Sequence, residues 1–341
     1  MKHINIPVFV PHIGCPHDCA FCDQKTITGH EKFDIEDAKK EIENFLSGAN
    51  TSLENIEIAF FGGSFTGIGE PLMSDLLDLA KSYVDAGRIS SIRLSTRPDY
   101  ITREILDTLK KYPVKTIELG IQSISDRVLK ASHRGHSALD CENACRLIKE
   151  YGFSLVGQMM IGLPLSTPED EIKTAEFIVK MGADAARIYP TVVFAGTGLE
   201  AMIKSGEYTP LTPEIAAERA AKVYSVFNRG SVTLLRIGLC ESDGLRSGKV
   251  VAGAYHPALG EMCLSEYYKD RICSEIESLG DIRGKSVIIH VKKGRLSTVI
   301  GQKGYVRAYL YKKYLPSFIS ICENDHMTEG EVKITLKESD T

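Results

Sequence analysis

Short β-branched apolar runs alternate with longer amphipathic stretches through the first two thirds of the chain. The runs at 5–10, 56–61, 91–95, 116–120, 155–161 and 185–189 predict strands. Between them the apolar spacing turns helical, over 34–46, 72–85, 103–111, 138–151 and 168–181. The fourth helical stretch has a Ser/Asp-rich start and stops at Gly152, a residue that closes helices because left-handed backbone costs it little. Six strands, each followed by a helix, predict a parallel sheet with right-handed crossovers. Six units are too few for an eight-fold barrel. The expected fold is therefore α/β, an open, partial (βα)6 TIM-like barrel.

A further helix is predicted over 213–228, closing at Gly230, and a strand-like run at 232–239 follows. The Gly-rich loop at 242–260 then marks the expected domain boundary. This divides the chain into a barrel over 1–240 and a small basic α+β domain over 241–341. The latter reads helix, strand, GxxG loop, helix, strand, strand.

Composition is that of an ordinary water-soluble protein, 43% hydrophobic and 25% charged. No run approaches the ~18 apolar residues of a membrane span, and the N-terminus lacks the pattern of a secretory signal. No membrane partner is expected. The nine cysteines are expected to be reduced, in the cytoplasm. Charge is unevenly spread: nine basic and no acidic residues lie in 283–322, against thirty-two basic and forty-five acidic residues elsewhere. Such asymmetry points to a polyanionic partner for the tail.

The chemistry concentrates at Cys15, Cys19 and Cys22, a C-x3-C-x2-C group directly after the first strand. Thiolates this close on a loop can serve one metal centre, an iron–sulfur cluster or zinc. Three cysteines leave a [4Fe-4S] cube one ligand short, so that one iron stays open. A zinc site needs a fourth ligand, and His17, between the first two cysteines, is the nearby candidate. In parallel sheets the working residues gather at the carboxyl ends of the strands. Gly62, Gly63 and Ser64 follow the second strand here, Ser95, Thr96 and Arg97 the third, and Gln122 the fourth. Gln158 lies within the fifth and Arg187 within the sixth. A glycine pair at a strand end is either a tight turn or a place where backbone approaches a ligand.

The cysteine spacing, with Phe21 just before the last cysteine, resembles the signature of the radical S-adenosyl-L-methionine (SAM) enzymes. Ser95-Thr96-Arg97-Pro98-Asp99-Tyr100, Glu118-Leu119-Gly120-Ile121-Gln122-Ser123, Arg134-Gly135-His136-Ser137, Met159-Met160-Ile161-Gly162-Leu163-Pro164 and Arg187-Ile188-Tyr189-Pro190-Thr191 follow in order. Over about residues 1–240 this run resembles the radical-SAM half of the catalytic subunit of Elongator, the tRNA wobble-uridine modification complex. The resemblance implies a [4Fe-4S] cluster on Cys15, Cys19 and Cys22, with SAM chelating the open iron. Reductive cleavage of SAM would yield a 5′-deoxyadenosyl radical that abstracts hydrogen from substrate. By the same resemblance Gly62, Gly63, Ser64, Ser95, Arg97 and Gln122 line the SAM pocket, with Gln158 and Arg187 nearby. Arg134, His136 and Tyr189 are the substrate-side candidates, and reduced flavodoxin or ferredoxin the expected electron donor. Position 95 is Ser where the family carries Glu. No room is left for an acetyltransferase domain, so acetyl-CoA chemistry is not expected.

Other residues carry plainer readings. Glu118 and Gln122 could be core polar groups. Cys141 and Cys145, four apart on a helix, are read as packing residues rather than a second metal site. Cys240, His256, Glu261 and Cys263 flank the Gly-rich loop, read as plain surface. In the tail, Gly301, Gln302, Lys303 and Gly304 form a GxxG between a strand and an amphipathic stretch. That order resembles a KH-type RNA-binding module, whose loop grips the nucleotide backbone; a solvated basic surface is the alternative. RNA or tRNA is the expected substrate. The alternatives are a small-molecule radical-SAM reaction like that of the oxygen-independent coproporphyrinogen oxidases, and a noncatalytic iron–sulfur RNA-binding protein.

Overall fold

Seven parallel strands, laid side by side almost in chain order, build the large sheet. In the computed structural model, which describes residues 3–10, 15, 19–22, 33–48, 55–239 and 249–337, they are β1 (His3–Val10), β2 (Asn55–Gly62), β3 (Ser91–Thr96), β4 (Val114–Gln122), β5 (Ser154–Ile161), β6 (Ala185–Pro190) and β8 (Thr233–Ile237). The sheet curls into a half-barrel, and its edge strands β1 and β8 do not pair. The strand-like run after the sixth unit thus joins the sheet as a seventh strand, Ala185 opposite Thr233. Crossovers are made by α1 (Ile35–Gly48), α2 (Leu72–Asp85), α3 (Arg103–Leu109), α4 (Asp126–Ala131) with α5 (Ala138–Glu150), α6 (Pro168–Lys180) and α8 (Pro213–Arg229). Ser137 and Thr167 open α5 and α6 as capping boxes with Asp140 and Asp170, satisfying amides that a helix start leaves free.

Every residue of β4 from Thr116 to Gln122 is buried, as expected of a central parallel strand covered on both faces. One face carries Ile117, Leu119 and Ile121 into the layer beneath the helices. The alternate positions face the barrel interior, and one of them, Glu118, is charged. Off the large sheet, β7 (Val192–Phe194) pairs antiparallel with β9 (Val250–Gly253), and α7 (Gly198–Lys204) follows β7.

The 21-residue helix α9 (Leu259–Leu279) packs along α8 and carries the chain into a three-stranded sheet. Its central strand β10 (Ser286–Lys292) runs parallel to β11 (Phe318–Asn324) and antiparallel to β12 (Val332–Lys337). Between β10 and β11 lie α10 (Leu296–Ile300), the Gly301–Gly304 turn and α11 (Tyr305–Tyr314). Tyr268, Ile272 and Ile276 of α9 belong to the same continuous apolar cluster as the barrel residues Val223 and Phe227 and the small-sheet residues Val287 and Ile289. No helix among the described residues is long and apolar enough to cross a membrane.

Candidate functional site

The carboxyl ends of β1 to β4 meet at one rim of the half-barrel. Gly62 closes β2 at φ +110°, where a Cβ would stand 2.3 Å from the Val10 carbonyl oxygen. Only glycine lets β1 and β2 run this close and then part, and Gly63 N donates to the same oxygen at 3.1 Å. Beyond the glycines a chain of hydroxyls ties β2 to β3. Thr96 Oγ1 lies 2.8 Å from Ser64 Oγ and 2.6 Å from Thr66 Oγ1, and Thr66 donates to the Tyr100 carbonyl.

Two buried guanidinium groups converge on Cys19. Arg97, 2% exposed, forks onto Asp99 with two bonds of 2.9 Å and donates to the Arg134 carbonyl at 2.7 Å. Its Nη1 lies 3.9 Å from Cys19 Sγ. Arg134 donates from Nη1 to the same sulfur at 3.4 Å and from Nη2 to the Gly120 carbonyl at 3.0 Å. Burial pushes the Cys15 thiol up from its ordinary range, while the positive charges of Arg134 and Arg97 pull the other way. The turn itself is clamped from both sides: Ala20 N donates to the Ser132 carbonyl, and Leu199 N, in α7, donates to the Ala20 carbonyl. Phe21 and Tyr189 both pack against the cluster of Val128, Met160 and Leu163.

β4 ends in an irregularity. Gly120 pairs with Gln158 and Gln122 with Met159, so Ile121 is an extra residue, and Gln122 takes φ +64°. The Ile121 carbonyl receives the Ser123 amide at 2.8 Å and the His136 Nε2 at 3.2 Å. A carbonyl only accepts, so Nε2 carries the proton and Nδ1 is a bare acceptor. Burial, with Arg134 adding to it, holds the His136 pKa down at about 4, so the ring is neutral. Among the described residues four buried side-chain polar atoms have no partner: Gln122 Oε1, Ser132 Oγ, Arg134 Nε and His136 Nδ1. All four lie on the 122–136 segment, which reaches the cysteine turn through Ser132 and Arg134. Unpaired buried groups are rare in folded chains, and their clustering marks a site that awaits a polar ligand.

Below the rim, a ladder of buried charge crosses the barrel interior. Glu118, fully buried, accepts from Arg93 at 2.9 Å, from Arg187 at 2.9 and 3.0 Å, and from Gln158 at 2.8 Å. Burial alone would raise its pKa, but the two arginines and Gln158 outweigh it and hold the carboxylate ionised. Arg93 continues to Glu57, which also takes the Ser91 hydroxyl. Gln158 Nε2 also reaches Ser95 Oγ at 3.4 Å, and the Arg187 guanidinium lies over the Phe61 ring.

The sequence-derived candidates thus fall into separate places. Cys15, Cys19, Ser64, Arg97, Gln122 and Arg134 share the rim. Ser95, Gln158 and Arg187 gather one layer lower around Glu118. Tyr189 packs against the same Val128, Met160 and Leu163 cluster as Phe21, while His136 faces the β4 bulge and lines a pocket of about 520 Å³ with Lys130, His133 and Asp140. Among the described residues no three His, Cys, Asp or Glu side chains converge as the close cage of a single ion; His17 and Cys240 lie outside them. Cys141 and Cys145 are wholly buried in the apolar core, burial pushing the Cys145 thiol up to about 12. Cys263 is likewise buried, Glu261 accepts from Thr298, and His256 Nδ1 accepts from Ala258 N. The eight described cysteines are free thiols.

In the tail, four of the nine basic residues of the acid-free stretch are paired in space. Lys292 and Arg295 pair with Glu329, Lys293 with Asp325 and Lys313 with Glu277, all from outside the stretch. Lys303, at φ +52° inside the Gly301–Gly304 turn, and Arg307 and Lys312 on the next helix make no ion pair among the described residues.

Sequence reasoning missed Glu57, Arg93, Thr66, Ser132 and the α7 contact. The signal for the first two was present: Glu57 and Arg93 are the single charges of otherwise uncharged strands.

Residues 9–178 match the Radical SAM superfamily, and residues 183–269 match the Radical_SAM C-terminal domain. An uncharacterized protein of Methanocaldococcus jannaschii is 30% identical over 224 residues, 62% of this chain and 67% of the relative. The tRNA uridine(34) acetyltransferase of Methanocaldococcus infernus is 29% identical over 215 residues, 60% of this chain but 39% of the relative. The chain therefore spans well under half of that protein's length. Among solved structures, an archaeal Elp3 (Elongator complex protein 3) from Methanocaldococcus infernus superposes with a TM-score of 0.63 at 24% identity, covering 80% of this chain and 64% of that one.

Proposed function

The chain belongs to the radical SAM superfamily, and from that premise we propose that it holds a [4Fe-4S] cluster on Cys15, Cys19 and Cys22, binds SAM at the β2–β4 rim, and acts on RNA. The observation that carries the cofactor reading is the meeting of Arg97 and Arg134 at Cys19 beside the unpartnered buried atoms of Gln122 and Arg134. Cationic donors beside thiols stabilise the thiolate form that iron requires, and an empty acceptor and donor suit a zwitterionic ligand with hydroxyls. The residues present therefore fit the group. When bound, cluster and SAM supply one-electron cleavage and radical hydrogen abstraction.

The chain's own contribution is placement. The Gly62–Gly63 backbone leaves room for close approach, Ser64 and Thr96 brace it, and the turn clamped by Ser132 and Leu199 fixes the thiols. The Glu57–Arg93–Glu118–Arg187 ladder forms a rigid, charge-balanced floor. Reduced flavodoxin or ferredoxin, in a reducing cytoplasm, would deliver the electron.

RNA as substrate is supported by the name of the uridine(34)-modifying relative and by the tail, whose strand–helix–GxxG–helix–strand order leaves Lys303, Arg307 and Lys312 for phosphate. The ion pairs that occupy Lys292, Lys293, Arg295 and Lys313 favour a modest contribution from it, and a small-molecule substrate is the second reading on that observation.

Anaerobic reconstitution tests the cofactor assignment. About four irons and four sulfides per chain are expected, and Cys15→Ala, Cys19→Ala or Cys22→Ala should abolish both the cluster and SAM cleavage. Stoichiometric zinc without iron would sink it. Binding of a transfer-RNA pool by the full chain, falling steeply between low and physiological salt and weakened by Lys303→Glu, tests the substrate. Salt-insensitive or absent binding would put the small-molecule reading first.

A further inference from the structure

We propose that His136 is a positioning residue: with Arg134 it holds the Gly120 and Ile121 carbonyls at the β4 bulge, and so holds the Gln122 amide at the cofactor rim. The inference rests on the SAM-site reading for what Gln122 meets, but not for the cap itself.

A bulge disrupts the ladder and leaves buried carbonyls that need other partners. Here the Gly120 carbonyl takes Arg134 Nη2 at 3.0 Å, and the Ile121 carbonyl takes His136 Nε2 at 3.2 Å beside the Ser123 amide at 2.8 Å. Both donors come from one tetrapeptide, Arg134-Gly135-His136-Ser137, on the connection between α4 and α5. That connection is tied down at either end: Arg97 grips the Arg134 carbonyl, and Ser137 is locked in its capping box with Asp140.

The cap matters because of the residue that follows it. Gln122 sits at φ +64°, a conformation that side-chain-bearing residues hold only when the surroundings enforce it. A Cβ added at Gly120 would stand 3.1 Å from Gln122 Nε2 and 2.8 Å from Arg134 Nη2, so the Gln122 side chain lies back over Gly120. Its Nε2 is thereby turned toward the bulge, while Oε1 is buried and unpartnered, an acceptor for a hydroxyl or N–H of the ligand. His136, 5% exposed and neutral, donates without bringing a third positive charge beside Arg134 and Arg97. Without His136 the Ile121 carbonyl keeps only the local Ser123 amide, and the bulge loses its tie to the 134–137 segment and can relax toward regular strand. A one-residue slip in register would turn the Gln122 side chain to the opposite face.

The test compares His136→Phe, which keeps the ring volume but donates nothing, with His136→Gln, whose amide can still reach the Ile121 carbonyl. Two readouts are taken on the full chain. One is amide hydrogen exchange of the 119–124 segment in metal-free protein. The other is SAM affinity by calorimetry on anaerobically reconstituted protein of matched iron content. His136→Phe should speed exchange of that segment and weaken SAM binding by about tenfold or more, the effect of one lost buried hydrogen bond. His136→Gln should restore both to within about threefold. Wild-type exchange and affinity in His136→Phe would overturn the proposal, as would equal defects in the two variants. If wild-type protein binds neither iron nor SAM, the SAM-site reading fails while the exchange comparison still decides the cap.

Discussion

The guanidinium of Arg134 stands 3.4 Å from the sulfur of Cys19, and with its other nitrogen holds the Gly120 carbonyl 3.0 Å away. One side chain thus couples the cysteine turn to the end of β4. Arg134→Leu strands that carbonyl and frees the turn, and we expect it to cost about 1–3 kcal/mol in urea unfolding of the metal-free protein. Unchanged stability would show that the contact is incidental.

Glu118 pairs with both Arg93 and Arg187, and Gln158 donates to it as well. Glu118→Leu leaves two buried guanidinium groups short of a partner. A loss of about 3–5 kcal/mol is expected, the usual result of breaking a buried pair from one side. Glu118→Gln, which keeps the acceptor oxygen, should lose less. Equal losses by denaturant titration would mean that shape rather than charge holds the floor.

Gly62→Ala places a methyl 2.3 Å from the Val10 oxygen at a backbone angle alanine avoids. Strain of this kind is worth about 1–3 kcal/mol, and the melting temperature should fall accordingly. Gly48→Ala, where a Cβ would meet nothing within 4 Å, is the control. A wild-type melting temperature for Gly62→Ala would refute the close approach of β1 and β2.

His136 gives a pH signature. Burial, with Arg134 and Arg97 opposing protonation and the Ile121 carbonyl and Asp99 favouring it, leaves its folded pKa at about 4 against 6.5 unfolded. The unfolded chain therefore takes up the proton first as pH falls. The stability that neutral His136 contributes is complete above pH 6.5 and is lost between 6.5 and 4, on the order of 3 kcal/mol in all. His136→Gln should flatten unfolding free energy across that window relative to wild type; parallel curves would contradict the assignment.

The barrel was legible because its strands and helices differ in period, and because each strand end carries a polar or glycine residue. Its limits show where pattern gives way to pairing. The strand at 116–120 continues two residues further as β4, since Gly120 and Gln122 look like a turn but form a bulge. The run at 232–239 was recognised as strand, yet its place beside β6 depends on a partner distant in sequence. Helices α4 and α7, six and seven residues long, are too short to display a period. Glu118 was weighed as a core group satisfied by backbone; its partners are instead side chains from three other strands. The tail's basic run was visible, but Glu277, Asp325 and Glu329, which neutralise part of it, lie outside that window.

The seam between α8 and α9 has a mechanical consequence. α9 leans on α8 along one side and on β12, α10 and α11 along the other. One helix is therefore a shared wall of the half-barrel and the small sheet. Cutting the chain within it would strip apolar cover from α8 as well as from β10, so the two parts lose stability together.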